Sequence, residues 1–105
     1  MDRLTVSDTV SRRGGEVARL LRALANERRL QALCLLTEEE EMSVGVIAAR
    51  LALSHSALSQ HLGLMREDGL VARRRSGTTI YYRIADRRVG AVLALMHTLH
   101  CEGAA

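Results

Sequence analysis

Apolar residues recur at helical spacing over most of this chain and switch to alternation only once. From Thr5 to about Ala25, Val10, Val17, Leu20, Leu21 and Leu24 share one face, while Arg12, Arg13, Arg19 and Arg22 take the others. That spacing predicts an amphipathic helix. Gly14 and Gly15 weaken it by about 1 kcal/mol each against Ala, so its first turns either fray or let a partner helix approach closely. Asn26 suits the N-cap of a second helix, NERRLQALCLLTEE, with Leu30, Leu33, Cys34 and Leu36 directed inward. The acidic run Glu38 to Glu41 reads as a solvated connection. Ser43 then caps a short helix to Leu51 that buries Val44, Ile47 and Leu51, and Leu53 marks the turn before another cap, Ser54.

The stretch from Ser54 to Gly69, SHSALSQHLGLMREDG, has a polar face unlike an ordinary solvated one. Leu58, Leu62 and Met65 fall at i, i+4 and i+7 and form its buried stripe. Ser56, Ser59, Gln60 and Gly63 lie on other sides, small and neutral where a solvent face usually carries Glu and Lys. Gly69 suits the position just past the helix end. A short helix, a tight turn and a second helix of this kind make a helix-turn-helix.

After Gly69 the period changes. LVARRRSGTTIYYRI predicts a β-hairpin turning at Ser76-Gly77, with Leu70 and Val71 entering, Ile80, Tyr82 and Ile84 returning, and Arg73 to Arg75 near the tip. Tyr81 and Tyr82 must face opposite sides. The expected fold is therefore mainly α with one β-hairpin, a winged helix-turn-helix in the order ααααββα. Asp86 caps a last helix whose Val89, Val92, Leu93, Met96 and Leu99 form a stripe widened by Ala91, Leu95 and Thr98. That exceeds what one small core needs, so the first and last helices are expected to form a homodimer interface. The residues after Cys101 are expected to be disordered.

Composition narrows the class. The 105 residues contain no Pro, repeat or low-complexity linker, which predicts a single domain spanning 1–105. Hydrophobic residues make up 48%, but Tyr81 and Tyr82 are the only aromatics, so the core must be aliphatic. No run approaches the roughly 20 apolar residues of a membrane span and no signal peptide opens the chain; a cytoplasmic protein with no membrane partner is expected. The net charge of +3 is unevenly spread. Residues 1–65 carry eight Arg and eight acids, whereas 66–88 carry seven Arg and three acids, a net of +4 just after the Ser54–Gly69 helix. Basic charge beside a helix with a readable polar face is the footprint of a DNA-binding surface.

The candidate DNA contacts follow from side-chain chemistry. Ser54, Ser56 and Ser59 offer hydroxyls to phosphates or base edges, and Gln60 can pair bidentately with adenine in the major groove. His55 can add a phosphate or base contact. His61 falls between Leu58 and Leu62 around the helix and suits a structural hydrogen bond. Arg73, Arg74 and Arg75 are assigned to phosphates or the minor groove. Cys34 and Cys101 are 67 residues apart, too far for a CxxC redox motif or a zinc knuckle. Nothing in the pattern suggests an enzyme, and no cofactor is implied.

LLRALANERRLQALCLL, MSVGVIAARLALSHSALSQHLGLMREDGLVARRRSGTTIYYRI and the terminal MHTLHCE together resemble the ArsR/SmtB family of winged-helix repressors over almost the whole chain. The resemblance implies a homodimer on an inverted-repeat operator, its two reading helices meeting successive major grooves. Cys34 in the second helix and Cys101 at the end of the last are similar to the pair in the SqrR, BigR and HlyU subgroup. That subgroup implies a dithiol sensor that leaves DNA when persulfides or oxidants link its cysteines. Cys101, near the chain end, is then expected to attack and the more buried Cys34 to resolve. His97 and His100, when protonated, favour the thiolate at Cys101, while the helix C-terminus and Glu102 oppose it. The alternative is a zinc- or arsenite-responsive member. The family's metal-binding Cys positions here hold Ser43 and Gly45, and Arg88 stands where an Asp-x-His pair would continue after Asp86. His97, His100 and Glu102 remain as ligands without the other half of a site, so no metal site is assigned.

Overall fold

In the computed structural model, which describes residues 3–101, the chain forms α1 (Val6–Leu24), α2 (Glu27–Glu38), β1 (Met42–Ser43), α3 (Val44–Leu51), α4 (His55–Glu67), β2 (Val71–Ser76), β3 (Thr79–Ile84) and α5 (Arg87–Cys101). The boundaries are written in capping residues. Thr5 and Asp8 form a reciprocal capping box at α1, each side chain bonded to the other's backbone N–H at 3.0 and 3.1 Å. Asn26, Ser43 and Ser54 accept from Arg29, Val46 and Ala57 backbone N–H groups at 3.1, 3.2 and 3.0 Å. Such caps contribute about 1 kcal/mol each. Asp86 accepts from the Arg88 N–H at 2.9 Å and opens α5.

α4 ends in a Schellman motif. Gly69, at φ 76°, donates to the Arg66 carbonyl, and Leu70 donates to that of Met65. The turn between α3 and α4 is less conventional. Ala52 sits in the left-handed region at φ 54°, alone in this among the described non-glycine residues. The Leu53 N–H closes the turn on the Ala48 carbonyl at 3.0 Å. The Arg28 guanidinium donates to the Leu51 carbonyl at 3.0 Å and fixes that end of α3 to α2.

The sheet has three antiparallel strands in the order β1-β3-β2. β2 and β3 pair from Val71↔Ile84 to Ser76↔Thr79, leaving Gly77-Thr78 as a two-residue turn with Gly77 at φ 63°. The turn thus lies one residue beyond the expected Ser76-Gly77 centre. β1 is an addition to the expected ααααββα order: Met42 and Ser43 pair with Tyr82 and Tyr81. Two residues are too few to show alternation, and Ser43 was legible only as a cap.

The core is aliphatic apart from Tyr82. Leu33, Ile47, Leu58, Leu62, Met65 and Val89 are fully enclosed, joining α2, α3, α4 and α5 through one cluster. α1 contributes Leu20, Ala23 and Leu24. Val10 and Leu21, expected on the inward face, are half exposed, as are Leu95 and Leu99 on α5. α1 also departs from helical geometry at Arg13 (φ −126°, ψ 22°), next to Gly14 and Gly15. The predicted weakness is therefore a kink rather than a frayed first turn, because the Thr5–Asp8 box holds the end. The segment after Cys101, expected to be disordered, lies outside the described residues. No helix among those described is long and apolar enough to cross a membrane.

Candidate nucleic-acid interface and thiol site

Burial of Leu58, Leu62 and Met65 fixes the rotation of α4, and that rotation leaves Ser56, Ser59 and Gln60 exposed on its N-terminal two turns. Ser54 is exposed as well, with its oxygen engaged by the Ala57 N–H and its hydroxyl proton free to donate. His55 is exposed but leans back toward α3. A Cβ placed on Gly45 would lie 3.7 Å from its ring, an ordinary van der Waals contact. His61 is half buried, and its Nδ1 accepts from Arg29 Nε of α2 at 3.4 Å, a long bond that gives this histidine a structural partner.

The wing arginines separate by strand alternation. Arg73 and Arg75 stand opposite Tyr82 and Ile80, and Arg74 stands opposite Tyr81. All three are exposed. Arg74, expected to meet phosphate, is engaged within the protein: its Nε reaches both Glu41 oxygens at 3.0 Å and its guanidinium lies 4.6 Å over the Tyr81 ring. The Arg74 hydrogen bond holds the Glu41 carboxyl below its ordinary range. Glu41 is thus a wing strut, not the solvated connection its acidic run suggested. Arg66, in the last turn of α4, borders a recess with Arg73 and Arg75. The sequence showed it only as part of the regional charge excess.

Both cysteines are free thiols, Cys34 half buried and Cys101 exposed. Cys34 borders an apolar groove of about 500 Å³ between α1, α2 and α5, which Leu21, Leu30, Val92 and Met96 also line, with His97 and His100 at its polar edge. Cys101 Sγ lies 3.1 Å from His97 Nδ1. His97 therefore touches one thiol and borders the groove of the other. Burial pushes the Cys34 thiol pKa up, and the nearby Glu38 charge adds to it. His100 Nδ1 lies 2.9 Å from the Met96 carbonyl, one turn back.

The start of α5 is spent on charge pairing. The Arg88 guanidinium binds both Asp86 oxygens and also Glu16 of α1 at 3.1 Å. That pairing holds the Asp86 carboxyl below its ordinary range. Among the described residues no group of three or more His, Cys, Asp or Glu is placed to hold a metal ion. Glu102, the remaining candidate ligand and the acid expected to oppose the Cys101 thiolate, lies outside them.

A helix-turn-helix whose second helix shows a small polar face, followed by an arginine-bearing hairpin, defines a winged-helix DNA-binding module. Residues 26–73 match the model of the bacterial regulatory protein, arsR family. The chain is 51% identical over 83 residues to the transcriptional activator HlyU of Vibrio cholerae, covering 79% of this chain and 76% of that protein. Its fold is similar to that of the transcriptional repressor BigR from Xylella fastidiosa, with a TM-score of 0.86, 33% identity, and coverage of 92% and 98% of the two chains. It is also similar to the homodimeric winged helix-turn-helix DNA-binding domain Mb0332 from Mycobacterium bovis, with a TM-score of 0.78, 36% identity, and coverage of 99% and 94%. The chain belongs to the ArsR family of bacterial transcriptional regulators.

Proposed function

We propose that this regulator is a single-domain, homodimeric repressor in the cytoplasm, whose affinity for an inverted-repeat operator falls when Cys34 and Cys101 are linked. The observation that carries the reading is His97, which contacts Cys101 Sγ at 3.1 Å and borders the groove that holds Cys34. That shared histidine supports a link between the thiol of α2 and the thiol at the end of α5. The reading helix is α4, with Ser56, Ser59 and Gln60 toward base edges and Ser54 and His55 toward the backbone. Arg73 and Arg75 meet phosphates, and Arg74 joins them to the extent that Glu41 releases it. The exposed Leu21, Leu95 and Leu99 of α1 and α5 support the dimer, as does the homodimeric state of Mb0332.

The chemistry requires one two-electron oxidant. The more accessible Cys101 thiolate attacks the outer sulfur of a persulfide RSSH, giving a Cys101 persulfide and RSH. The Cys34 thiol then attacks the inner sulfur, closes a disulfide and releases sulfide. With a hydroperoxide the first step gives a sulfenic acid and an alcohol, and the second gives the disulfide and water. Either link draws α5 against α2, and α2 is bonded to α4 through Arg29 and His61. Titrating a labelled duplex from the chain's own promoter region, at two or more salt concentrations, tests the DNA half of the reading. Salt-dependent, sequence-selective binding is expected; binding that is neither would overturn it.

A further inference from the structure

Three arginines from two elements converge beside the reading helix. Arg66 stands in the last turn of α4, while Arg73 and Arg75 project from β2 opposite Tyr82 and Ile80. Cross-strand partners share a sheet face, so Arg73 and Arg75 lie on the side that Tyr82 turns into the core. Toward the hairpin tip that side becomes a recess of about 300 Å³, bordered by the three arginines with Ile80 as its apolar lining. Arg74 also borders it, but its guanidinium is held by Glu41 and stacked on Tyr81. Among the described residues, no carboxylate lies within ion-pair distance of Arg66, Arg73 or Arg75. Glu67 and Asp68 follow Arg66 in the chain but do not border the recess.

Three arginines that border one recess without a carboxylate partner leave their planar donor forks available, and a tetrahedral oxyanion is the group that accepts such forks. The recess is open and shares α4 with the Ser56–Gln60 face, so the fitting anion is one displayed along an extended polymer. We propose that this recess is a phosphodiester site, clamping the operator backbone between the reading helix and the wing, with Arg66 a DNA-contacting residue and Arg74 a strut. The proposal rests on the DNA-binding reading above and adds to it a division of labour among the arginines.

The salt dependence of duplex affinity separates the two, because each phosphate-neutralising arginine adds about one to the slope of log affinity against log salt. With the full chain and a labelled duplex, R66Q is expected to lower the slope by about one, with equal losses on operator and scrambled sequences. R66K should restore it. The R73Q/R75Q double variant should lower it by about two, and R74Q by clearly less than one. Far-UV circular dichroism checks that each variant is folded. An R66Q slope equal to that of the unmodified chain, or R74Q and R66Q losses of equal size, would overturn the site. Competition by inorganic phosphate beyond its ionic-strength effect, lost in R66Q, would overturn the polymer assignment in favour of free phosphate. Absence of salt-dependent binding by the unmodified chain would instead sink the DNA reading itself, and the site with it.

Discussion

Arg29 Nε donates to His61 Nδ1 at 3.4 Å, so the helix that carries Cys34 is bonded directly to the helix proposed to read DNA. Both helices also contribute fully enclosed leucines, Leu33 and Leu62, to one core. A pull on α2 therefore reaches α4 through one polar link and through shared packing. Removing the link with H61A should cost about 1 kcal/mol in urea unfolding, the usual net worth of such a bond. It should leave duplex affinity of the reduced chain nearly unchanged and shrink the drop on thiol linkage. If H61A shows the full drop, packing alone carries the coupling.

α1 and α5 together leave apolar side chains uncovered, and Leu99 is 62% exposed in the single subunit. The unmodified chain should elute as a dimer at micromolar concentration in size-exclusion chromatography with light scattering. L99E should elute as a folded monomer, with α4 and the wing intact by circular dichroism but duplex affinity greatly reduced. A monomeric unmodified chain under those conditions contradicts the interface.

Thiol order can be read by alkylation. Burial and Glu38 raise the Cys34 pKa, and less thiolate means slower reaction. Peptide mass spectrometry after a short iodoacetamide pulse near neutral pH should find Cys101 labelled first. Raising the pH should speed Cys34, and E38Q should do so modestly at constant pH. Faster labelling of Cys34 than Cys101 reverses the assigned roles.

Much of this was legible in the sequence because the determinants are local. Asn26, Ser43, Ser54 and Asp86 cap where their side chains allow, and the Leu58–Leu62–Met65 stripe sets the face that α4 shows. His61 read as structural from its place between Leu58 and Leu62, and it has a structural partner in Arg29. What stayed hidden depends on residues far apart in the chain. Glu41 meets Arg74 across 33 positions, so an acidic run gives no sign that one of its members braces the wing. Arg66 joins Arg73 and Arg75 only once the hairpin folds beside α4. The left-handed Ala52 has no signature either, since that conformation usually calls for glycine. Val10 and Leu21 misled because periodicity marks an apolar face without saying whether the covering surface is the subunit's own.

Acid should loosen the fold through two carboxylates. Arg88 holds Asp86, and Arg74 holds Glu41, below their ordinary ranges. A depressed folded-state value means that the folded chain binds fewer protons than the unfolded one. The stabilisation is therefore complete above the unfolded carboxylate value of about 4 and is lost as pH falls through the lower folded values. The thermal midpoint should be level near neutrality and decline below about pH 4, with a shallower decline in the R88Q/R74Q double variant. An equally steep decline in that variant would assign the acid loss to other groups.

The central claim is that linking Cys34 to Cys101 lowers operator affinity. The most direct measurement is duplex titration of one sample before and after treatment with a persulfide donor, with the Cys34–Cys101 link counted by intact-mass and peptide mass spectrometry. The account predicts a loss of roughly 5- to 150-fold, the size of ordinary two-site coupling, in proportion to the linked fraction. Dithiothreitol should reverse it, and C34S and C101S should not show it. Unchanged affinity in a fully linked sample, or an equal loss in C34S, would contradict the account.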